Sequence, residues 1–535
     1  MAGARQVSIL LTTLEQELKP LIIQASRAWW DASTSGQDSD FAAKEQAQNA
    51  LDFALSNKQR FGDLKEVKEA LGKGTPLERR QVEVLYLMHL EKQVDGETLK
   101  RLNDLSNRVE KAFNTFRPVV GGREVTENAV RDLLRESKDE ALRKEAWEAS
   151  KGVGKVVEKE LLELVKLRNK AAKGLGFADY HAMQLSVGEQ SQEQVLQIFN
   201  ELDALTRPLF ASLKAEIDEA LASSYGIPPE ALRPWHYHDL FFQEVPAVFG
   251  GDTAGPYSRL DIVGMCSRFY ASIGLPIDDV IERSDLYERP GKSPHAFCTD
   301  IDRSGDVRVL GNVQPGEYWT NTMLHELGHS VYSSRNMPPG LPFFLRVESH
   351  TLTTEGVAML FEKFGRKAAW LKAMGVEVAG EKEFDAAQTR ATRAHLLIFS
   401  RWYQVMFRFE KALYGNPDAN LNSLWWDLVE EYQGITRPSG RDAPDYASKI
   451  HIPVAPCYYH NYMLGELFAS QVHDTVAREV QKVVPGEAIY VGDKAIGRFF
   501  RDRVFAPGKS LAWDELSEHI TGKRLNAAAF AAAIA

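Results

Sequence analysis

The pentapeptide His325-Glu326-Leu327-Gly328-His329 narrows what this chain can fold into more than any other stretch. Two imidazoles four residues apart share a face when the backbone is helical. Pro315 and Gly316 stand before the motif, and Asn336, Pro338, Pro339 and Gly340 stand after it, so the spacing predicts a helix over 319–333. Such a pair can grip one metal ion from one side, with Glu326 beside it as a candidate base. A catalytic zinc site needs a third protein ligand and one open position. The sequence must therefore supply a second helix that packs against the first. Residues 345–364 have the right periodicity and offer Glu348 and Glu355, seven apart. Glu355 follows His329 at a distance that leaves room for a Pro/Gly turn, and its neighbours Gly356-Val357-Ala358 are small and apolar. Glu355 is the expected third ligand. Glu348, beside Arg346 and Val347, reads as an ion-pair or supporting residue.

The rest of the chain is mainly α in pattern. Apolar residues recur at three and four positions through 7–28, 41–55, 82–90, 99–116, 127–136, 139–174, 258–273, 383–414, 421–433 and 459–478, and the Ala-rich end 525–535 reads as a last helix. Gly121-Gly122 marks a turn. Stretch 226–257 is irregular and rich in Pro, His and aromatics; His236 and His238 read there as packed loop residues rather than ligands. One β signal stands out. Residues 295–301 and 306–310 flank Asp302-Arg303-Ser304-Gly305, a turn tetrad, and predict a hairpin just ahead of the motif helix. A peptide can add to the open edge of such a strand.

Bulk properties exclude several functions. With 44% hydrophobic and 26% charged residues in 535, the chain is ordinary globular material. A net charge of -10 argues against nucleic acid or an anionic membrane as partner. No apolar run spans a bilayer, and Ile9-Leu10-Leu11 is too short for a signal core. Cys266, Cys298 and Cys457 are three, far apart, and have no metal-knuckle spacing. The expectation is a cytoplasmic, reducing setting without disulfides.

Hydrolysis at such a site needs hydrogen-bond donors for the oxyanion of the tetrahedral intermediate. His451, Tyr458, Tyr459 and Tyr462 are candidates, and Tyr459 and Tyr462 are three apart on a predicted helix. Lys449 adds a cation beside them.

At this point the chain resembles the angiotensin-converting-enzyme-like peptidyl-dipeptidases, zinc peptidases of the gluzincin type. The resemblance is carried by Trp425-Trp426-Asp427-Leu428, Tyr432-Gln433-Gly434-Ile435 and Lys449-Ile450-His451-Ile452-Pro453, and upstream by Trp147, Gly154, Leu167, Asn169, Ala171-Ala172 and Asp179-Tyr180. His295-Ala296 ahead of the zinc motif and Ala28-Trp29-Trp30-Asp31 near the start match as well. It implies a large helical ellipsoid of one peptidase domain, with two subdomains flanking a deep cleft: lid-like helices over 1–120, a helical subdomain over 121–290, and hairpin, zinc site and C-terminal helices over 291–535. It implies one Zn2+ held by His325, His329 and Glu355, Glu326 as general base and acid, and His451 and Tyr462 as oxyanion donors. His295 and the Ala296 backbone would hold the substrate strand, and Lys449 and Tyr459 the substrate's C-terminal carboxylate, with Tyr458 an alternative to Tyr459 because one residue is inserted after His451. The implied activity is release of C-terminal dipeptides from short peptides. An oligoendopeptidase or a carboxypeptidase shares the same zinc core, and a catalytically silent peptide-binding scaffold is the alternative outside enzymes.

Three departures stand out. The family's acidic residue four positions beyond the third ligand, which orients a zinc histidine, falls at Met359, and its carboxylate-holding glutamine has no evident counterpart. The arginines linked to chloride activation fall at Val429 and Asn461, so strong chloride dependence is not expected.

Overall fold

The amphipathic stretches become helices, twenty of them among the described residues, and only two sheets of two strands each form beside them. About 69% of the computed structural model is helical. It describes residues 2–70, 74–247 and 255–535. No helix among them is long and apolar enough to cross a membrane.

The chain divides into two compact units, each assembled from separated segments. The first comprises Met1–Gln93, Asp252–Asp385 and Leu464–Ala533; the second comprises Val94–Gly251, Ala386–Met463 and Ile534–Ala535.

In the first unit, the N-terminal helix Ala2–Ser35 places Val7, Leu11, Leu14, Leu18 and Ile22 on one stripe. That stripe packs with Leu55, Leu64, Val82 and Leu85 of the next three helices and with Phe343 and Phe344. Full burial of each such side chain is worth about 1.5–3 kcal/mol. Thr75 and Glu78 form a reciprocal capping box at the start of Pro76–Leu90. The N-terminal helix ends at Gly36, whose φ of 66° is left-handed. A Cβ at Gly36 would lie 2.0 Å from the Gly291 carbonyl oxygen, so the helix end sits directly on the segment leading into the hairpin.

The hairpin pairs Phe297–Asp300 antiparallel with Val307–Leu310, Phe297 opposite Leu310 and Asp300 opposite Val307. The ladder is shorter than the sequence pattern. His295 and Ala296 fall just ahead of it in a bend, and His295 is exposed. Trp29 lies on the Phe297 ring, centroids 4.1 Å apart, and Trp30 meets it edge-on at 6.1 Å.

The second unit is built on two long helices, Glu140–Gly174 and Gln192–Tyr225, and on most of a third, Glu381–Gly415. Trp147 meets Trp235 and Trp426 in tilted ring contacts, centroids 6.0 and 6.2 Å apart. Gly121 and Gly122, both left-handed, close a tiny hairpin of Val119–Val120 with Arg123–Glu124. Here the sequence suggested a turn but not the strands, which at two residues each are too short for an alternating pattern. Part of the irregular stretch 226–257 lies outside the described residues. In the rest, short 3-10 turns form at Pro229–Ala231, Pro234–His236 and Gly255–Tyr257. His236 Nδ1 takes the Arg233 N–H and His238 Nδ1 the Ala247 N–H, so both histidines serve the loop.

Candidate metal and substrate sites

The motif helix runs from Glu317 to Val331, two residues earlier than the spacing suggested. The partner helix is Thr351–Glu362, shorter than the periodic stretch, because a 3-10 turn at Phe343–Leu345 and a bend occupy the residues before it. Glu348 therefore lies ahead of the helix, not on its face as the seven-residue spacing implied. The two helices cross tightly. A Cβ at Gly328, inside the motif, would stand 2.8 Å from the Ala358 Cα. At Gly356 it would stand 2.7 Å from the Phe468 ring of the helix His460–Thr475. Small residues at these crossings let Glu355 reach the two histidines.

Among the described residues, His325, His329 and Glu355 form the one cluster able to hold a metal ion. His325 Nε2 is 3.2 Å from His329 Nε2 and 3.5 Å from Glu355 Oε2; His329 Nε2 is 4.0 Å from the same oxygen. Tetrahedral donors on zinc at bond lengths near 2.0–2.1 Å stand roughly 3.4 Å apart. The far ring nitrogens are engaged elsewhere. His325 Nδ1–H donates to Glu362 Oε2 at 2.7 Å, and His329 Nδ1 pairs with Thr354 Oγ1 at 2.7 Å. With Nδ1 protonated against an acceptor carboxylate, His325 turns its Nε2 lone pair toward its neighbours. Three carboxylates (Glu326, Glu355 and Glu362) surround two imidazoles, a donor set short of positive charge. The residues fit a divalent cation.

Glu362 fills the role that the sequence left open at Met359. It lies seven residues beyond Glu355, on the same face and two turns farther along. Arg366 holds its other oxygen at 3.7 Å. The spacing rule applied to Glu348 and Glu355 would have found it if extended forward instead of back.

Glu326 is buried, 8% exposed. Burial, aided by the charges of Glu355 and Glu362, pushes its carboxyl up to about 7, and the Cys298 N–H faces it as a donor. A base poised near neutrality suits proton transfer at that pH. The strand ahead of the motif helix thus lends its backbone to the candidate base.

In the second unit, Lys449, His451, Tyr459 and Tyr462 come together. The Lys449 ammonium stands 5.2 Å from the Tyr459 ring centroid, His451 meets Tyr459 at 4.4 Å, and Tyr459 meets Tyr462 at 5.7 Å. Tyr459 stands beside both Lys449 and His451. Its hydroxyl accepts the Trp402 indole N–H at 3.2 Å. Burial pushes Lys449 down to about 8 and, with Lys449 beside it, His451 to about 4, so near neutral pH the lysine is mostly charged and the histidine neutral.

Lys449 Nζ donates to Gln243 Oε1 at 2.7 Å. Gln243 is a glutamine that the sequence reading did not single out. It sits in the irregular stretch, where no periodicity marks it. A cavity of about 320 Å3 opens beside Lys449, lined among others by Phe113, Phe116, Glu127, Arg131, Lys151 and Phe241. Its cations outnumber its one carboxylate, which suits an anionic group.

The profile of the angiotensin-converting enzyme family matches residues 2–236 and 394–532. The chain belongs to that family. The matched stretches hold Lys449, His451, Tyr459 and Tyr462 but flank the metal cluster, so the cluster stands as a separate, geometric observation. A relative with that name, the angiotensin-converting enzyme of Haematobia irritans exigua, is 23% identical over 395 residues. The aligned region covers 67% of this chain and 64% of the relative, just under two thirds of the relative's length.

Proposed function

We propose that this protein is a zinc peptidase that releases dipeptides from the C-terminus of short peptides. The observation that carries the reading is the convergence of His325 Nε2, His329 Nε2 and Glu355 Oε2 beside the buried carboxylate of Glu326. Family membership supports it.

One Zn2+ per chain would be held by His325, His329 and Glu355, supplying Lewis acidity and a water acidic enough to lose its proton near neutral pH. Glu326 takes that proton on its carboxylate and delivers it to the departing amine. Glu362 and Thr354 fix the ring orientation of the two histidines through their Nδ1 atoms. His451, neutral and able to donate one N–H, and the Tyr462 hydroxyl serve the oxyanion. Lys449, Gln243 and Tyr459 read the free carboxylate, which sets the count of two residues. The backbone at Ala296, with His295 beside it, aligns the peptide as an added strand. The substrates are short peptides, not nucleic acid or lipid. The unpaired Cys266, Cys298 and Cys457 favour a reducing, cytoplasmic setting.

The test incubates purified protein with a ten-residue peptide, with and without chelator, and reads fragments by mass spectrometry. Stepwise loss of two C-terminal residues, abolished by chelator and by Glu326→Gln, is expected. Internal cuts or single-residue trimming would replace the dipeptidase reading with an endopeptidase or carboxypeptidase, and absence of cleavage would leave a peptide-binding scaffold.

A further inference from the structure

The stretch between Lys449 and the helix His460–Thr475 carries Lys449, His451 and Tyr459, yet it is irregular. Backbone bonds tie its first half: Ile452 N–H donates to Lys449 C=O and Val454 N–H to Ile450 C=O. Its second half, Ala455-Pro456-Cys457, includes a proline without an N–H and turns at Cys457, whose φ is 62°. A left-handed conformation at a residue with a Cβ is strained and persists where the surroundings hold it. One side chain takes the Cys457 amide. Glu410, in the helix Glu381–Gly415 and 1% exposed, accepts the Cys457 N–H on Oε1 at 2.8 Å.

We propose that Glu410 is a positioning residue: by pinning the left-handed turn at Cys457 it fixes the place of Tyr459, two residues on, against Lys449 and His451. This inference rests on the function proposed above, in which Tyr459 and Lys449 read the substrate's carboxylate. A glutamate is suited to the task. Its side chain reaches the loop from a rigid helix. Burial pushes its carboxyl up to about 8, with the Cys457 N–H and Arg168 opposing, so near neutral pH it is mostly the uncharged acid and an amide can replace it. The groups facing it are the Arg168 guanidinium, which donates to the Tyr414 hydroxyl at 3.1 Å, and the Cys457 thiol, itself pushed up by burial and by Glu410.

The test compares Glu410→Leu, which keeps the volume and removes the acceptor, with Glu410→Gln, which keeps both. Circular dichroism and metal content establish that each variant folds. With free-acid peptides at pH 7, Glu410→Leu raises KM about tenfold, the value of roughly 1.4 kcal/mol, and leaves kcat nearly unchanged; Glu410→Gln behaves as wild type. Amidated peptides show no difference among the three proteins. In parallel, thiol labelling followed by peptide mapping shows faster modification of Cys457 in Glu410→Leu alone. A fall in kcat without change in KM would mean that Glu410 serves only stability, and labelling at the wild-type rate would mean that it does not hold the turn; either overturns the proposal. If wild-type protein cuts free-acid and amidated peptides equally, the carboxylate-reading function fails instead, while the labelling result still decides whether Glu410 pins Cys457.

Discussion

Glu362 shows how much a single carboxylate can do without touching a substrate. It takes the Nδ1–H of His325, and that bond decides which nitrogen of the ring is left for metal. Substituting Glu362→Gln exchanges a charged acceptor for a neutral amide. Metal affinity is expected to fall about 10–100-fold, measured by competition with a chelating dye, while Met359→Ala leaves it unchanged. Retention of full affinity in Glu362→Gln would mean that the ring is oriented by its packing alone. Lys449 gives a second prediction at this scale. Its folded value near 8 lies below the ordinary lysine range because burial disfavours the charge. Only the charged form reads a carboxylate, so KM for free-acid peptides should climb as pH rises through 8 and stay flat for amidated ones. In stability terms the sign is the opposite of a paired cation's. Between about 8 and the unfolded lysine value the unfolded chain binds more protons, so this residue's burial penalty shrinks as pH rises through that window.

At the scale of elements, the crossing of the motif helix with Thr351–Glu362 is the feature on which the metal site depends. Gly328 is one of the two residues between Glu326 and His329, and the Ala358 Cα leaves no room for a methyl group there. Gly328→Ala should force the helices apart at a cost of about 1–3 kcal/mol, seen as a lower Tm, and should weaken metal binding because Glu355 is carried away with its helix. An unchanged metal affinity would show that the crossing can slide without loss. This packing also explains what the sequence revealed and what it did not. Helices with a steady three-and-four period were legible, as 421–433 shows: the observed helix is Leu421–Gln433. The approach of His325, His329 and Glu355 was legible because residues four apart share a helix face and the next helix packs against it. Gln243 was not, because it reaches Lys449 from an irregular stretch where only the tertiary fold sets the contact. The start of Thr351–Glu362 was misjudged because Phe343, Phe344 and Leu345 are buried in a 3-10 turn, and burial alone mimics helical periodicity over so short a run.

For the whole molecule, a metal held by the proposed ligands would couple chemistry to stability. Ligands that bind only the folded chain stabilise it by mass action, about 4 kcal/mol at a thousandfold excess over Kd. Chelator should therefore lower the Tm, and zinc restored in stoichiometric amount should raise it again; a Tm indifferent to chelator would place the ion outside the described cluster. The two units are interleaved along the sequence, since no single cut separates them. That interleaving also orders events during synthesis. The unit bearing His325, His329 and Glu355 begins with the first helix, yet it also includes Leu464–Ala533, with Gly465 and Phe468 closing on Glu355 and Gly356. A ribosome adding roughly 5–20 residues per second releases the histidines many seconds before that last segment. A metal held by the proposed ligands would therefore find its site complete only after Leu464–Ala533 has joined the earlier segments.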